Sequence, residues 1–415
     1  MENLTACFEI SSDSIKLLIG YELDGKPIVL YRKKKELPGL IKDGQITDPN
    51  ALIKALAEFH NVNDDQAFLK ISISEICLVL PSVGLVVYDN EKTTNVVAPN
   101  NEIAKIDVAN VISLVRKESI PGGNVIVDII PDEFVLDEGR RFGNPPLGEK
   151  SKSLTVLAKI HTLPETLYST YNRLVNQAGF RIKKAAVSVY CLAELFKTCP
   201  DVPSSYLLVD MGSRLTSVSF VGDGSPYSSV SFYNGGDDLT EAIATAFGCP
   251  FSAAERLKSE YGYKEKIRRY DPCLPMGERE VGEYHQADLN RVISEYFDSY
   301  RVTLTNAVTA LLSKYEKKYG KRFDSIPVVF TGGASSLNGI EDFMKAAFPT
   351  RECFFPTPRA IGAREKGYAT LLGLLLTSSR YVGSLEDNYR GMASVSRVAK
   401  DSRKARRNSP DSDAL

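Results

Sequence analysis

The 415-residue chain has no tryptophan, only five methionines and only three histidines, His60, His161 and His285. Imidazoles so far apart argue against a histidine-built zinc site and against a His-based catalytic triad. The seven cysteines, at 7, 77, 191, 199, 249, 273 and 353, are odd in number and include no CxxC pair. That is the pattern of reduced, mostly buried thiols in a cytosolic protein. No stretch reaches about 18 uninterrupted apolar residues, so no segment reads as a membrane-spanning helix. The N-terminus, with Glu2 and Glu9 around a short apolar stretch, lacks the basic flank and longer apolar region of a signal peptide. An excess of one charge is also missing: 51 basic and 52 acidic residues leave a formal net charge of -1. This excludes a broad electrostatic footprint, and nucleic acid is not expected as a partner.

What remains is ordinary globular composition, 43% hydrophobic and 25% charged, long enough for about two to four compact units. Residues 6–21 read as two strands separated by Ser11, Ser12, Asp13 and Ser14, a hairpin signal. A third strand, 27–32, follows the Asp24-Gly25 turn. Asp48 and Pro49 have the form of an N-cap and first helical residue, with Leu52, Leu56 and Phe59 as an apolar stripe behind them. Strands are expected within 71–87. Between 88 and 165, Pro99, Pro121, Pro131, Pro145 and Pro146 punctuate strands at 124–130, 134–137 and 153–161 around a helix over 107–117, which suggests a small inserted αβ subdomain. Helices follow over 164–179 and 188–196. Strands at 206–210, 216–221 and 228–233 then repeat the opening meander about 200 residues later, and such a repeat suggests two related halves facing a cleft. Helices are expected at 237–247, 253–261, 288–319, 339–348 and 362–377, with a buried strand over 327–331. From about residue 378 the hydrophobic density falls and the chain reads as a tail.

Four glycine- or serine-rich turns and one helix face carry candidate chemistry. A nucleotide between two related halves needs backbone amides near its phosphates and a carboxylate to hold water around magnesium. Residues 9–14 offer hydroxyls and amides at Ser12 and Asp13, with Glu9 placed to take a metal-bound water; a solvated Ser-rich turn fits the same residues. Asp210 at a strand end leads into Gly212, and Arg214 either meets a phosphate or points into solvent. Gly332, Gly333 and Ala334 follow a strand, where a diglycine alone also suits a tight packing turn. Gly235-Gly236 opens a helix whose free amides are expected to face outward. Glu255 and Lys258, three apart on a helix, form either a clamp on a ribose or base or an ordinary surface pair. The order of these five pieces is the one a two-lobed nucleotide fold uses.

These residues resemble the actin-like ATPase superfamily and, within it, the FtsA family of bacterial cell division proteins, over roughly residues 5–377. The superfamily likeness rests on the repeated meander, the diglycine strand end and the closing sequence Tyr368-Ala369-Thr370-Leu371-Leu372-Gly373-Leu374-Leu375. The narrower likeness rests on Ile106-Asp107-Val108, Ile129-Ile130-Pro131, Phe134, Leu136-Asp137 and Asn144-Pro145-Pro146-Leu147-Gly148, which look like the family's 1C subdomain. The segment 39–56 and the run from Asn234-Gly235-Gly236 to Ala254-Glu255-Arg256-Leu257-Lys258 resemble the family as well.

The resemblance implies an α/β, actin/Hsp70-like two-lobed fold with duplicated mixed-sheet subdomains and an inserted SHS2-like 1C subdomain. Its parts would be 1A at 1–85 and 164–200, 1C at 86–163, 2A at 201–234 and 326–377, 2B at 235–325, and a tail at 378–415. It implies ATP with magnesium: phosphates near Ser12, Asp13 and Gly212, the nucleoside near Gly236, Glu255, Lys258, Gly332 and Gly333, and magnesium held through water near Glu9 and Asp210. The chain departs from the family where Glu9-Ile10-Ser11 replaces an Asp-Ile-Gly start, where Ser14 stands at a frequent lysine, and where Ser213 and Arg214 replace glycines. Cβ atoms at 213 and 214 hinder close approach of backbone to phosphate, and Arg214 offsets this only if it pairs with a phosphate. Weakened nucleotide binding or a degenerate pseudo-nucleotide site, with the nucleoside side better preserved, is therefore expected, and at most slow ATP turnover.

As partners the resemblance implies self-association into protofilaments, the C-terminal peptide of FtsZ at 2B, and later division proteins through 1C, all at the cytoplasmic face of the cell membrane. In the tail, Tyr389, Met392, Val395 and Val398 fall three apart beside Arg397, Lys400, Arg403, Lys404, Arg406 and Arg407. Such a segment suits an anionic membrane surface, each basic residue contributing about 1 kcal/mol, or a disordered solubilising tail. A PilM-like adaptor for a membrane pilus component shares the stretch 37–49, and a small-molecule kinase or phosphatase of the same superfamily is the reading of another class. Asn144 to Gly148 favours the FtsA likeness over the first, and the degenerate turn at 213–215 argues against the second.

Overall fold

The structure, a computed structural model, describes residues 4–42, 44–64, 69–268, 271–273, 285–320 and 323–378. Expectations for residues 379–415, including the basic cluster, lie outside the described residues. The described residues divide into a larger unit, within 1–87, 120–128 and 161–377, and a smaller one built from 88–119 and 129–160.

The opening meander forms β1 (Thr5–Ile10), β2 (Ser14–Leu23) and β3 (Lys26–Glu36). Cys7, Phe8, Ile15, Leu17 and Leu18 are buried, and the register pairs Glu9 with Lys16 and Ile10 with Ile15. Helix α1 (Pro49–Ala57) starts as the sequence predicts: Asp48 Oδ1 accepts from the Ala51 amide at 2.9 Å and proline occupies the first turn. Next come β4 (Glu75–Leu80) and β5 (Val86–Asn95), then α2 (Lys105–Arg116), β6 (Asn124–Leu136) and β7 (Ser153–Pro164). β6 is one strand where the sequence reads as two. Pro131 does not break it, and Phe134 and Val135 beyond it pair with Phe142 and Arg141.

After β7 the chain forms α3 (Glu165–Gln177), β8 (Arg181–Val187) and α4 (Ser188–Phe196). The second meander is β9 (Tyr206–Met211), β10 (Thr216–Gly222) and β11 (Ser225–Phe232). It is followed by α5 (Gly236–Phe247), α6 (Phe251–Arg256), α7 (Gln286–Tyr319), β12 (Val328–Thr331), α8 (Ile340–Ala347), β13 (Cys353–Phe354) and α9 (Ala369–Ser378). α7 is a single helix of 34 residues. The closing helix starts at Ala369 and not at 362, because residues 355–365 run without regular structure and a 3-10 turn, Lys366–Tyr368, comes first.

The duplication expected from the repeated meander is present in the strand pairing of the larger unit. Its first sheet runs β3-β2-β1-β4-β8, and its second runs β11-β10-β9-β12-β13. In each, the first three strands are antiparallel and the last two are added parallel. The second sheet is covered by α5, α6, α7 and α8, whose Leu239, Ile243, Ala254, Leu289, Ile293, Tyr300, Leu304 and Met344 are fully or nearly fully buried with Leu207, Val209 and Phe330. Burying a side chain of this size contributes about 1.5–3 kcal/mol, so this layer anchors the turns at the strand ends.

In the smaller unit, Val108, Val111, Ile112 and Val115 are the buried stripe of α2. Strands β6 and β7 supply Phe134, Leu136, Leu154 and Val156 to the buried set. Asp107, fully buried, fixes the start of the helix. Its Oδ2 accepts from the Ala104 amide at 2.9 Å and its Oδ1 from the Val97 amide at 2.8 Å, so both carboxylate oxygens replace water with backbone donors.

Candidate functional site

The two meanders bring their hairpin turns to one cavity of about 560 Å³ in the larger unit. Every candidate residue read from the sequence lines it: Glu9, Ser12 and Asp13 from the β1–β2 turn, Asp210, Gly212 and Arg214 from the β9–β10 turn, Gly236, Glu255 and Lys258 from α5 and the helix after it, and Gly332, Gly333 and Ala334 after β12.

The first turn is held by its own polar groups. The Ser11 amide donates to Ser14 O at 2.9 Å, Ser11 Oγ lies 2.9 Å from Ser14 Oγ, and Ser14 Oγ donates to Asp13 Oδ1 at 3.0 Å. The carbonyls of Ser12 and Asp13 accept from Ile41 and Leu37. The Ser12 and Asp13 amides donate to nothing among the described residues, which leaves two consecutive donors. Lys16, one residue inside β2, also faces the cavity; its Nζ is 3.2 Å from Glu9 Oε2 and donates to Gly367 O at 2.8 Å. The sequence reading missed Lys16. Its alternation parity with Glu9 across the hairpin was the available signal.

The second turn is closed differently from the expectation of outward amides. The Gly212 amide donates to Leu215 O at 2.9 Å, while Gly236 and Asp237, the first residues of α5, donate to Gly212 O at 3.0 Å and to Ser213 O at 2.7 Å. The helix start is thus spent on the turn. This packing requires Gly235, since a Cβ there would meet Ser213 O at 2.6 Å. Tyr296 of α7 supports the same corner, with its hydroxyl 2.7 Å from Gly235 O and 2.5 Å from Asn234 Oδ1. Arg214 neither points into solvent nor is left open for an anion. Its Nε is 3.1 Å from Asp237 Oδ2 and its Nη2 2.8 Å from Glu241 Oε1. Asp237, directly after Gly235-Gly236, and Glu241, one helical turn further on, gave no sign of this pairing in the sequence. The amides of Ser213 and Arg214 remain without acceptors among the described residues.

Carboxylates crowd this end of the cavity. Burial, with the charge of Glu9 added, pushes the Asp210 carboxyl up to about 7, against a lowering by Lys16. Asp237 is pushed up to about 6 by burial and by Asp13, with Arg214 and Lys258 opposing. Gly332 has φ +88°, and a Cβ there would meet Asp210 Oδ1 at 2.6 Å and Met211 N at 2.7 Å. Glycine at 332 is therefore required both by conformation and by space.

Beside the start of α5, α6 passes into a π-helical turn, Leu257–Tyr261, where the sequence suggests one continuous helix. Lys258 Nζ donates to Gly236 O at 2.9 Å and to Thr240 Oγ1 at 2.7 Å, and lies 2.6 Å from Glu255 Oε2; the Thr240 hydroxyl donates to the same Oε2 at 2.6 Å. The Glu255–Lys258 pair is more than a surface pair, because it ties this turn to the start of α5. Gly333 presents open space, with nothing near where a Cβ would stand.

Two family models match the chain in the order this topology demands. The SHS2 domain inserted in FtsA covers residues 87–162, and the family described as Cell division protein FtsA covers residues 207–373. The chain belongs to the FtsA family. The Cell division protein FtsA of Enterococcus faecalis is 24% identical over 385 residues, 92% of this chain and 84% of that protein. FtsA-family membership carries an actin-like fold with an inserted SHS2 domain, and solved structures agree with it. The PilM-PilN type IV pilus biogenesis complex superposes with a TM-score of 0.54 at 18% identity, over 91% of this chain and 98% of that one. MreB 5 of Spiroplasma citri bound to AMPPNP gives 0.53 at 10% identity, over 94% and 99%. At these identities the likeness is one of fold. PilM, the alternative weighed from sequence, is a neighbour in this sense.

Proposed function

We propose that this FtsA-family chain is a cytoskeletal adaptor of the division ring. It polymerises, links FtsZ filaments to the cytoplasmic face of the membrane and recruits later division proteins, with a nucleotide as its conformational switch. The observation that carries the reading is the pair of family matches in series, the inserted SHS2 domain at 87–162 ahead of the FtsA match at 207–373. In this reading 1A comprises 1–85 and 164–200, 2A comprises 201–234 and 326–377, 1C (86–163) makes a polymer contact and a surface for downstream partners, and 2B (235–325) takes the FtsZ C-terminal peptide. No helix among the described residues is long and apolar enough to cross a membrane, so attachment rests on the basic tail and anionic lipid, or on a partner.

The residues fit a nucleotide with magnesium. A cavity of about 560 Å³ lies in the range that holds such ligands, roughly 300–1,000 Å³. Two turns offer paired free amides, at Ser12-Asp13 and Ser213-Arg214, and consecutive amides of this kind make anion-binding concavities. Asp210, with no hydrogen-bond donor on its carboxylate among the described residues, and Glu9 are the groups to hold magnesium-bound water. Gly236, Glu255, Lys258, Gly332, Gly333 and Ala334 would hold the nucleoside side, and Ser12, Asp13, Gly212 and Lys16 the phosphate side. ATP supplies a terminal phosphate whose presence or loss alters which conformation is favoured. The protein's part is to bind and orient it, and Arg214 holds the second turn against α5.

The test is sedimentation of the full chain with preassembled FtsZ filaments, with and without ATP and magnesium. The reading expects the chain in the pellet only when FtsZ is present or when it has itself polymerised, with a truncated FtsZ lacking its C-terminal peptide failing to carry it down. Equal pelleting with intact and truncated FtsZ overturns the assignment of the partner peptide.

A further inference from the structure

An anion entering the cavity meets five cations among the described residues: Lys16, Lys34, Arg214, Lys258 and Lys366. Four of them are already neutralised. Lys16 pairs with Glu9 at 3.2 Å, Lys34 with Glu36 at 2.7 Å, Arg214 with Asp237 at 3.1 Å and Glu241 at 2.8 Å, and Lys258 with Glu255 at 2.6 Å. Lys366 has no carboxylate within ion-pair distance among the described residues. Its ammonium donates only to Ser335 O, at 3.2 Å. Glu341, the carboxylate whose field reaches it, is itself paired with Lys345 at 3.1 Å. Burial holds the Lys366 ammonium below the usual lysine range, the mark of a charge short of compensation.

Its position completes the argument. Lys366 reaches the turn that follows the diglycine: Ser335, whose carbonyl it bonds, lies two residues past Gly333, and Gly333 lines the cavity with nothing near where its Cβ would stand. Glu9, Asp13, Asp210 and Asp237 also line the cavity, and the cations beside them, Lys16, Lys34 and Arg214, are already paired. A phosphate in front of Gly333 gains a charge-assisted hydrogen bond from a cation whose present partners are one carbonyl, Ser335 O, and the face of the Phe355 ring, 5.6 Å away.

On the nucleotide reading above, we propose that Lys366 is the principal phosphate-binding side chain of the cleft. It takes the phosphate nearest the nucleoside, so that Arg214 is not a ligand and adenosine di- and triphosphates are held alike. Lys366→Ala removes the anchor common to ADP and ATP, and Lys366→Arg keeps the charge.

The experiment is isothermal titration of the full chain and of Lys366→Ala and Lys366→Arg with ADP, ATP plus magnesium, and adenosine. Removing one charge-assisted bond is expected to weaken both ADP and ATP by about tenfold to a hundredfold, while adenosine affinity is unchanged and Lys366→Arg recovers most of the loss. Unchanged adenosine binding also shows that the variant is folded. ADP and ATP affinities equal to the parent's in Lys366→Ala overturn the assignment of Lys366 and leave the nucleotide reading standing. An equal loss for adenosine overturns the phosphate role as well, since the lysine would then act on the nucleoside or on the fold. A parent chain that binds none of the three overturns the nucleotide reading, and the assignment falls with it.

Discussion

Asp210 gives the sharpest thermodynamic prediction. Its carboxyl is raised from 3.8 to about 7, first by burial, then by the nearby Glu9, with Lys16 opposing. A group held above its unfolded value takes up protons more readily when folded. Its contribution to stability is therefore complete below pH 4 and is lost as pH climbs toward 7. At 1.36 kcal/mol per tenfold change in proton affinity, the full difference is about 4 kcal/mol; water reaching the cavity reduces this to roughly 2–4 kcal/mol. Asp210→Asn removes the titration and keeps the shape. Urea unfolding of both proteins between pH 4.5 and 8.5 should show the variant gaining on the parent steadily up to about pH 7 and levelling off above it. Because Glu9 is the second cause, Glu9→Gln should lower the midpoint of the parent's loss toward the ordinary aspartate range. Parallel stability curves for parent and Asp210→Asn across this range would refute the account of a strained, desolvated carboxylate in the cleft.

Other expectations are independent of that one. Gly332→Ala places a Cβ against Asp210 Oδ1 and Met211 at φ +88°, and thermal unfolding should show a loss of about 2–4 kcal/mol. Arg214→Ala removes a half-buried pair to Asp237 and Glu241; the loss of stability should stay near 1 kcal/mol, with ADP affinity by calorimetry unchanged. Lys258→Ala frees Gly236 O, Thr240 and Glu255 at once, and adenosine affinity should fall about tenfold, the cost of one charge-assisted bond. Asp48→Ala removes the α1 cap, lowering stability by about 1 kcal/mol in urea unfolding, with no effect on nucleotide.

The parts of the fold legible in the sequence are those written in local pattern. The Ser11–Ser14 break marked the first hairpin, repetition marked the second meander, and Asp48-Pro49 marked the start of α1. Strand order was legible only through repetition: the meander at 206–233 copies that at 5–36, and the added parallel strands follow the same order in both sheets. What was illegible depends on residues distant in sequence. Lys16 becomes a cavity residue only through register with Glu9 and the Gly367 carbonyl 351 positions away. The amides at the start of α5 look free until the Gly212–Ser213 carbonyls are brought beside them. Arg214 reads as a phosphate donor in a degenerate glycine loop, yet Asp237 and Glu241, one helical turn apart on α5, take it instead. Lys366 falls in the helix expected over 362–377 but in the structure opens a 3-10 turn, and its lack of a carboxylate partner emerges only when the partners of the other four cations are known.

The central claim is that this chain bridges FtsZ to a membrane. The most direct measurement is flotation of anionic liposomes with purified FtsZ filaments, ATP and magnesium, in the presence and absence of the full chain. The account predicts that FtsZ floats with the liposomes only when the chain is present, and stays behind when its C-terminal peptide is deleted. FtsZ that remains at the bottom of the gradient while the chain itself floats would contradict it.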